Sequence, residues 1–143
     1  MRVVLDTNVI ISSYLTPQGR VARILNLWEQ EAFDLLVSEP ILQEYARVLA
    51  YPRHRKVHKL NDQSLAEIVD AFRELAEIVD PLVTPAVISD DPDDDHFLAC
   101  AESGHADYII SGDSHLRALV VYEGIPILSP AEFLSRISSS ELP

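Results

Sequence analysis

The sequence predicts a single α/β domain with a central parallel sheet of about four to five short strands flanked by helices. Four short apolar segments, rich in β-branched residues, are separated by segments with apolar residues at helical spacing. The length of 143 residues, 48% of them hydrophobic, suits one domain with a buried core. We expect this domain to cover residues 1–137 and the serine-rich end, residues 138–143, to be a frayed tail.

The predicted strands are short, continuous apolar runs without helical periodicity, as in strands buried on both faces. They are Arg2–Leu5, 33–37, 107–111 and Ile125–Leu128. Helical spacing is clearest in three intervening segments: 21–28, 41–49 and 65–79. The apolar face of the last of these segments is a candidate surface for a homodimer.

The formal net charge of −12 argues against non-specific binding to nucleic acid through general electrostatic attraction. No apolar run is long enough to cross a membrane, and the N-terminus lacks the pattern of a secretory signal. The single cysteine, Cys100, lies in an apolar helical run, which indicates packing. We therefore expect a cytoplasmic protein without a membrane partner.

One basic segment departs from this acidic background. It contains four of the eleven lysine and arginine residues of the chain: Arg53, Arg55, Lys56 and Lys59. A partner with phosphates could bind there, and we predict contacts with RNA. A solvated helix end is an equally good interpretation of the same segment.

The most unusual segment is an acidic run at residues 90–95, with five carboxylates in six residues, followed directly by an apolar helical run. One or two acids would explain a helix cap, because carboxylates stabilise a helix N-terminus. Five acids repel one another, and that cost must be offset by solvent or by a cation. Taken alone, the run fits a solvated acidic loop at least as well as a cation site.

Other acids are predicted to lie at one edge of the sheet. Asp6 ends the first strand, Asp113 follows the third, and Glu44 lies near the start of the helix after the second. Ligands of open parallel sheets bind beyond the carboxyl ends of the strands. The acidic run joins these residues if its helix packs with its N-terminus at the same edge.

Clustered carboxylates need a counter-charge, and Mg²⁺ or Mn²⁺ supplies it through oxygen ligands. Zinc fits poorly, because the cysteine and five histidines show no zinc-ligand spacing. Glycine-rich phosphate loops and serine-hydrolase motifs are absent from the sequence. A carboxylate metal site in a small α/β domain suits phosphoryl chemistry, in which metal ions activate water and stabilise charge at phosphorus.

The sequence resembles a PIN domain over nearly its whole length, from Arg2 to about Leu134. Four segments carry the resemblance: 4–9, the helix around Glu44, 94–101 and 110–113. It is most similar to the bacterial and archaeal group described as toxin components of toxin–antitoxin systems, related to VapC toxins.

The resemblance implies a metal-dependent ribonuclease with four catalytic, metal-binding acids: Asp6, Glu44, Asp94 and Asp113. Asp94 is chosen because the family places an acid seven residues before a helix alanine, here Ala101. Asp95 is a further candidate metal ligand, and either Asp95 or Asp91 could replace Asp94. Asn8 and Ser111 are expected to orient Asp6 and Asp113.

The resemblance also implies partners: single-stranded RNA or a structured RNA loop as substrate, and a cognate antitoxin protein. Two alternative functions remain open. One is a non-catalytic PIN-fold scaffold or RNA-binding adaptor, because fold does not fix function. The other is a phosphatase-like hydrolase, which is disfavoured because Asp6-Thr7-Asn8 lacks the second acid of an Asp-x-Asp motif.

Overall fold

Helices and strands alternate along the chain in the order that the sequence predicts. The computed structural model describes residues 1–81 and 92–141, without the side chains of 92–94 and 139–141. The strands are β1 (Arg2–Leu5), β2 (Asp34–Val37), β3 (Glu77–Ile78), β4 (Tyr108–Ile110), β5 (Val121–Tyr122) and β6 (Ile125–Leu128). The helices are α1 (Thr7–Leu15), α2 (Ala22–Glu29), α3 (Glu39–Leu49), α4 (Pro52–His58), α5 (Asp62–Leu75), α6 (Pro92–Ser103), α7 (Ser114–Arg117) and α8 (Pro130–Glu141).

The described strands form one sheet in the order β3-β2-β1-β4-β6-β5. Neighbouring strands are parallel except for β5, which pairs antiparallel with β6. The predicted α/β class with a central parallel sheet is confirmed. The sheet has six strands rather than four to five, and the two that the sequence did not predict are two-residue edge strands. Strands of that length are too short to produce an alternation signal.

The helix predicted over residues 65–79 ends earlier, at Leu75. Ala76 is extended, and the chain then pairs with β2 through Glu77 and Ile78. The helical spacing of Val79 was therefore a coincidence, because its backbone N–H donates to the Val37 carbonyl in the sheet, at 2.7 Å. Local spacing failed here because a short parallel pairing overrides it.

Much of the apolar face of α5 packs in the core. Leu65 and Phe72 are buried, and Ile68 and Val69 pack against the core clusters. Leu75, at the end of the helix, is exposed. The face suggested for a homodimer is therefore partly covered within one chain, and the homodimer stays a prediction. In the described part of the chain, no helix is long and apolar enough to cross a membrane.

The direction of α6 decides whether the acidic run reaches the carboxyl edge of the sheet. The helix packs on β1 and β4, and its C-terminal end is fixed by Arg2, whose Nε donates to the Gly104 carbonyl at 2.8 Å. Arg2 begins β1 and therefore marks the amino edge of the sheet. The N-terminus of α6 consequently lies at the carboxyl edge, where β1 and β4 end.

Candidate active site

A cavity of about 420 Å³ opens at the carboxyl edge of the sheet. Asp6, Glu44 and Asp113 all line it, although more than 35 residues separate each from the next along the chain. Phe97, from the first half of α6, forms part of its wall. The fold therefore brings three of the four predicted acids to one place.

Asp6 is the most rigidly held of these acids, and only 6% of its surface is exposed. It is the N-cap of α1, and its Oδ1 accepts a hydrogen bond from the Thr7 backbone N–H at 2.6 Å. Its Oδ2 accepts a hydrogen bond from the Ser111 hydroxyl at 2.5 Å. The carboxylate is thus fixed in orientation by a donor on each oxygen.

Glu44 is tied to Asp6 through Thr7. The Thr7 hydroxyl donates to Glu44 Oε2 at 2.6 Å, while the backbone N–H of the same residue donates to Asp6. The other oxygen, Oε1, lies 3.5 Å from Arg47 Nη2, and the Glu44 side chain is 13% exposed. One threonine therefore sets the relative position of two carboxylates that come from α1 and α3.

Asp113 is tied to Asp6 in a similar way, through Ser111. The fully buried Ser111 hydroxyl donates to Asp6 and accepts a hydrogen bond from the Asp113 backbone N–H at 2.9 Å. Asp113 caps α7 by accepting from the His115 N–H at 2.9 Å. Asn8 accepts from the Gly112 N–H at 3.2 Å and so positions the loop before Asp113 rather than either carboxylate.

The pKa of Tyr45 reflects both its burial and the nearby acids. Its buried hydroxyl donates to the Leu5 carbonyl at 2.5 Å. Burial raises the pKa of Tyr45 well above its usual value, and the nearby carboxylate of Asp6 raises it further. A phenolate is disfavoured there because the surroundings are both apolar and negatively charged.

The remaining predicted acids lie on α6. The helix includes residue 94, but the Asp94 side chain lies outside the described part of the structure, as does Asp91. Asp95 is not among the described residues that line the cavity. Its Oδ1 is buried and accepts no hydrogen bond from described residues, and its charge acts on Tyr122.

The donor chemistry of the cavity fits a hard divalent cation such as Mg²⁺ or Mn²⁺, because the three acids provide oxygen ligands. Among the side chains that the structure describes, which do not include Asp94, no group of three histidine, cysteine, aspartate or glutamate residues is close enough to hold a metal ion. The three acids supply the right ligand type, and Asp94 is the candidate for a fourth ligand.

A family model described as PIN domain matches residues 2–115 of the chain. The chain belongs to the PIN domain family. It is also 34% identical over 119 residues to Uncharacterized protein MJ1680 of Methanocaldococcus jannaschii. The aligned region covers 83% of this chain and 75% of that protein. PIN domains are generally nucleases that depend on divalent metal.

Two solved structures are similar to this PIN domain. PAE2754 from Pyrobaculum aerophilum matches with a TM-score of 0.62 and 13% identity, over 97% of this chain and 90% of that one. VapBC2 from Rickettsia felis, bound to a DNA fragment from their promoter, matches with a TM-score of 0.59 and 13% identity, over 90% and 98% of the two chains. At this identity the likeness shows the shared fold.

The basic segment of this PIN domain lies on α4 and divides into two groups. Arg53 lines the acidic cavity. Arg55 is used within the fold, because its guanidinium donates to the Ala50 carbonyl at 2.8 Å and pairs with Asp62 at 2.7 Å. Lys56 and Lys59 are exposed. The structure thus brings one of the four predicted RNA-binding residues to the site.

Two residues that contact the acids were not predicted from the sequence: Thr7 and Arg47. Thr7 follows Asp6 directly, which puts its backbone N–H within reach of that carboxylate. Arg47 follows Glu44 at helical spacing, which is a detectable signal for an ion pair. His54 lies in the basic segment, but its place in the cavity could not be predicted, because it depends on how α4 packs on α1 and α3.

Proposed function

We propose that this PIN domain is a metal-dependent ribonuclease that hydrolyses phosphodiester bonds of single-stranded RNA or of structured RNA loops. The observation that supports it best is the convergence of Asp6, Glu44 and Asp113 on one cavity, with Thr7 and Ser111 fixing their relative positions. Carboxylates that are fixed before substrate binds do not have to reorganise during the reaction.

Asp6, Asp113 and Asp94 would hold one or more Mg²⁺ or Mn²⁺ ions, with Glu44 as a further ligand or as the general base. The metal would supply activation of water and stabilisation of the charge that develops on the phosphate. Thr7 and Ser111 donate hydrogen bonds to Glu44 and Asp6, and so keep these carboxylates oriented.

The test is cleavage of an end-labelled single-stranded oligoribonucleotide by the purified protein in EDTA, Mg²⁺ or Mn²⁺. We expect cleavage with either metal, none in EDTA, and none with Asp6→Asn. A non-catalytic RNA-binding adaptor is the second candidate, because fold does not fix function. Metal-independent RNA binding without cleavage would establish the adaptor and reject the nuclease.

We further propose that the protein acts in the cytoplasm as the toxin of a toxin–antitoxin pair. Its resemblance to VapC toxins and the fold that it shares with VapBC2 support this role. Expression in growing bacteria should arrest growth in the wild type and not in Asp6→Asn. Co-expression of the product of a small neighbouring gene should relieve the arrest, and growth unaffected by the wild type would reject the toxin role.

A further inference from the structure

His54 has one ring nitrogen fixed by the protein. Its Nδ1 lies 2.7 Å from the Val48 carbonyl, and a carbonyl oxygen can only accept, so Nδ1 carries the proton. The ring stacks on Tyr51, with centroids 5.8 Å apart and planes 19° apart. These contacts orient the ring and direct Nε2 toward Arg53. The histidine lines the same cavity as Asp6, Glu44 and Asp113.

His58, one turn along the same helix, provides the contrast. Its Nε2 bonds the Leu49 carbonyl at 2.9 Å, and its Nδ1 accepts from the Leu60 N–H at 3.0 Å. Both ring nitrogens of His58 are therefore used to hold α4 against α3 and the following loop. Among the described residues that line the cavity, the α4 side chains are Arg53 and His54.

Arg53 is bonded to the second ring nitrogen of His54. Its Nε donates to His54 Nε2 at 3.4 Å, and its guanidinium carbon lies 5.3 Å from the centre of the Tyr51 ring. Arginine presents several N–H donors in a plane and is suited to bind phosphate oxygens. By accepting from Arg53 Nε, His54 orients the guanidinium and leaves its Nη groups as donors for a phosphate.

Two chemically different groups of residues line the cavity. Asp6, Glu44 and Asp113 are acidic, whereas Arg53 and His54 belong to the basic segment. A nucleic-acid strand carries a negative charge at every phosphate, so a phosphate next to the one being cut needs a positive partner that the acids do not provide. An arginine that a histidine orients supplies it.

We propose that Arg53 and His54 form a phosphate subsite that holds the backbone of a single-stranded nucleic acid beside the phosphate that is cut. The proposal rests on the proposed nuclease function and specifies which part of the basic segment contacts the strand. Lys56 and Lys59 lie outside the subsite, and Arg55 has a structural role.

The experiment measures binding and cleavage separately. Binding of a fluorescent single-stranded oligoribonucleotide is followed by anisotropy in EDTA, with every variant in an Asp6→Asn background that prevents cleavage. Arg53→Ala is compared with Lys56→Ala, and His54→Asn with His58→Asn. Asn keeps an amide N–H near the position of Nδ1 and removes Nε2, whereas His54→Gln places an amide near Nε2 and serves as the rescue variant. Circular dichroism checks that each variant is folded.

We expect Arg53→Ala and His54→Asn each to weaken binding about tenfold, the loss that one charge-assisted hydrogen bond implies. Arg53→Ala should also reduce the salt slope of log K by about 0.7, the value for one phosphate contact on a single strand. Lys56→Ala and His58→Asn should change affinity by less than about twofold, because neither removes a subsite contact. His54→Gln should recover part of the affinity.

Equal effects of Arg53→Ala and Lys56→Ala, or of His54→Asn and His58→Asn, would overturn the subsite. Kinetics of the variants in the wild-type background give an independent test, since a subsite loss raises KM with little change in kcat. A loss confined to kcat would also overturn it. A wild type that binds RNA through these residues but never cleaves it would reject the nuclease and leave the subsite standing.

Discussion

Two acidic cavities lie at opposite edges of the same sheet. The one at the carboxyl edge, of about 420 Å³, contains Asp6, Glu44 and Asp113. The other, of about 510 Å³, lies at the amino edge between the ends of α2 and α5 and the starts of β2 and β3. Four carboxylates line this second cavity: Glu29, Glu31, Asp34 and Glu77. Neither the size of a cavity nor its number of acids identifies the site.

The difference lies in how the carboxylates are held. The four acids of the amino-edge cavity are all exposed, and Glu77 pairs with Arg2 across 2.6 Å at the surface. Exposed acids keep their hydration and do not need a metal ion. At the carboxyl edge, Asp6 is buried and Glu44 nearly so, and hydroxyls of Thr7 and Ser111 orient them. Burial together with fixed orientation is what makes carboxylates useful for binding a metal ion.

The sharpest test of this comparison exchanges one acid for its amide at each edge. Asp6→Asn should reduce ribonuclease activity at least about a hundredfold, because it replaces a charged ligand that is fixed on both oxygens. Asp34→Asn, in the amino-edge cavity, should leave activity unchanged. Both are measured on single-stranded RNA with Mn²⁺. Equal activities of the two variants would remove the functional distinction between the cavities.

The next prediction concerns which acid of α6 completes the carboxyl-edge site. Asp94→Asn should lower activity more than Asp95→Asn, because Asp95 is not among the described residues of the cavity. Asp93→Asn serves as a charge-matched control. If Asp95→Asn abolished activity and Asp94→Asn did not, the assignment along the helix would be wrong by one residue.

Ser111→Ala should lower activity about 10- to 100-fold, the usual effect of losing a group that orients a metal ligand. It removes the donor to Asp6 and the acceptor of the Asp113 N–H, both buried within the site. The control is Ser129→Ala, a partly exposed serine that follows β6 at the same edge of the sheet. Activity and metal affinity are both measured, and a Ser111→Ala enzyme that binds Mn²⁺ normally would contradict this explanation.

Metal binding should also be visible in stability, without any RNA. Mg²⁺ or Mn²⁺ at a hundredfold excess over Kd should raise the free energy of unfolding by about 2.7 kcal/mol. The gain should vanish in the Asp6→Asn/Asp113→Asn double variant and persist in Asp34→Asn. Thermal unfolding in EDTA and in each metal provides the measurement. A wild-type midpoint that does not respond to saturating metal would argue against a clustered metal site.

The smallest effect is expected for an exposed acid outside both cavities. Hydrogen bonds from Arg73 lower the pKa of the Glu39 carboxyl below its ordinary value of 4.5. Because the folded value is the lower one, the pair stabilises the fold above that ordinary value and loses its effect as pH falls through the folded value. Glu39→Gln should therefore lower the unfolding midpoint slightly at neutral pH and not in acid, whereas Glu74→Gln should show no such difference. An equal loss at both pH values would reject this interpretation.

The sequence was sufficient for the fold class and for the edge at which the acids meet. The rule that parallel strands end at a common edge placed Asp6 and Asp113 near each other, and the helical spacing around Glu44 put that acid beside the core. The two short strands could not be predicted, and for β3 the reason is that Glu77 pairs with Leu36, which is far away in the sequence. The sequence likewise gave no sign that Asp95 would lie near enough to Tyr122 to contribute to the raised pKa of that tyrosine.

The contacts that organise the site were harder to predict, for a related reason. Thr7 bonds Glu44 across a sequence separation of 37 residues, and Ser111 bonds Asp6 across one of 105. Such bridges arise from tertiary packing, which no local pattern encodes. The division of the basic segment was likewise hidden, since Arg53 and Arg55 look equivalent in sequence. Arg53 lies on the side of α4 that faces the cavity, whereas Arg55 lies on the side that faces Ala50 and Asp62.

The hydrogen bond from Tyr45 to the Leu5 carbonyl joins two residues that are each next to an acid of the site, since Leu5 precedes Asp6 and Tyr45 follows Glu44. The Tyr45 ring packs against Phe72, in the buried centre of the protein. The spacing of Asp6 and Glu44 is therefore inherited from core packing rather than set by a surface loop. Transplanting the acids alone onto another parallel sheet would not reproduce the site. A designer would have to move β1, α1 and α3 together as one unit.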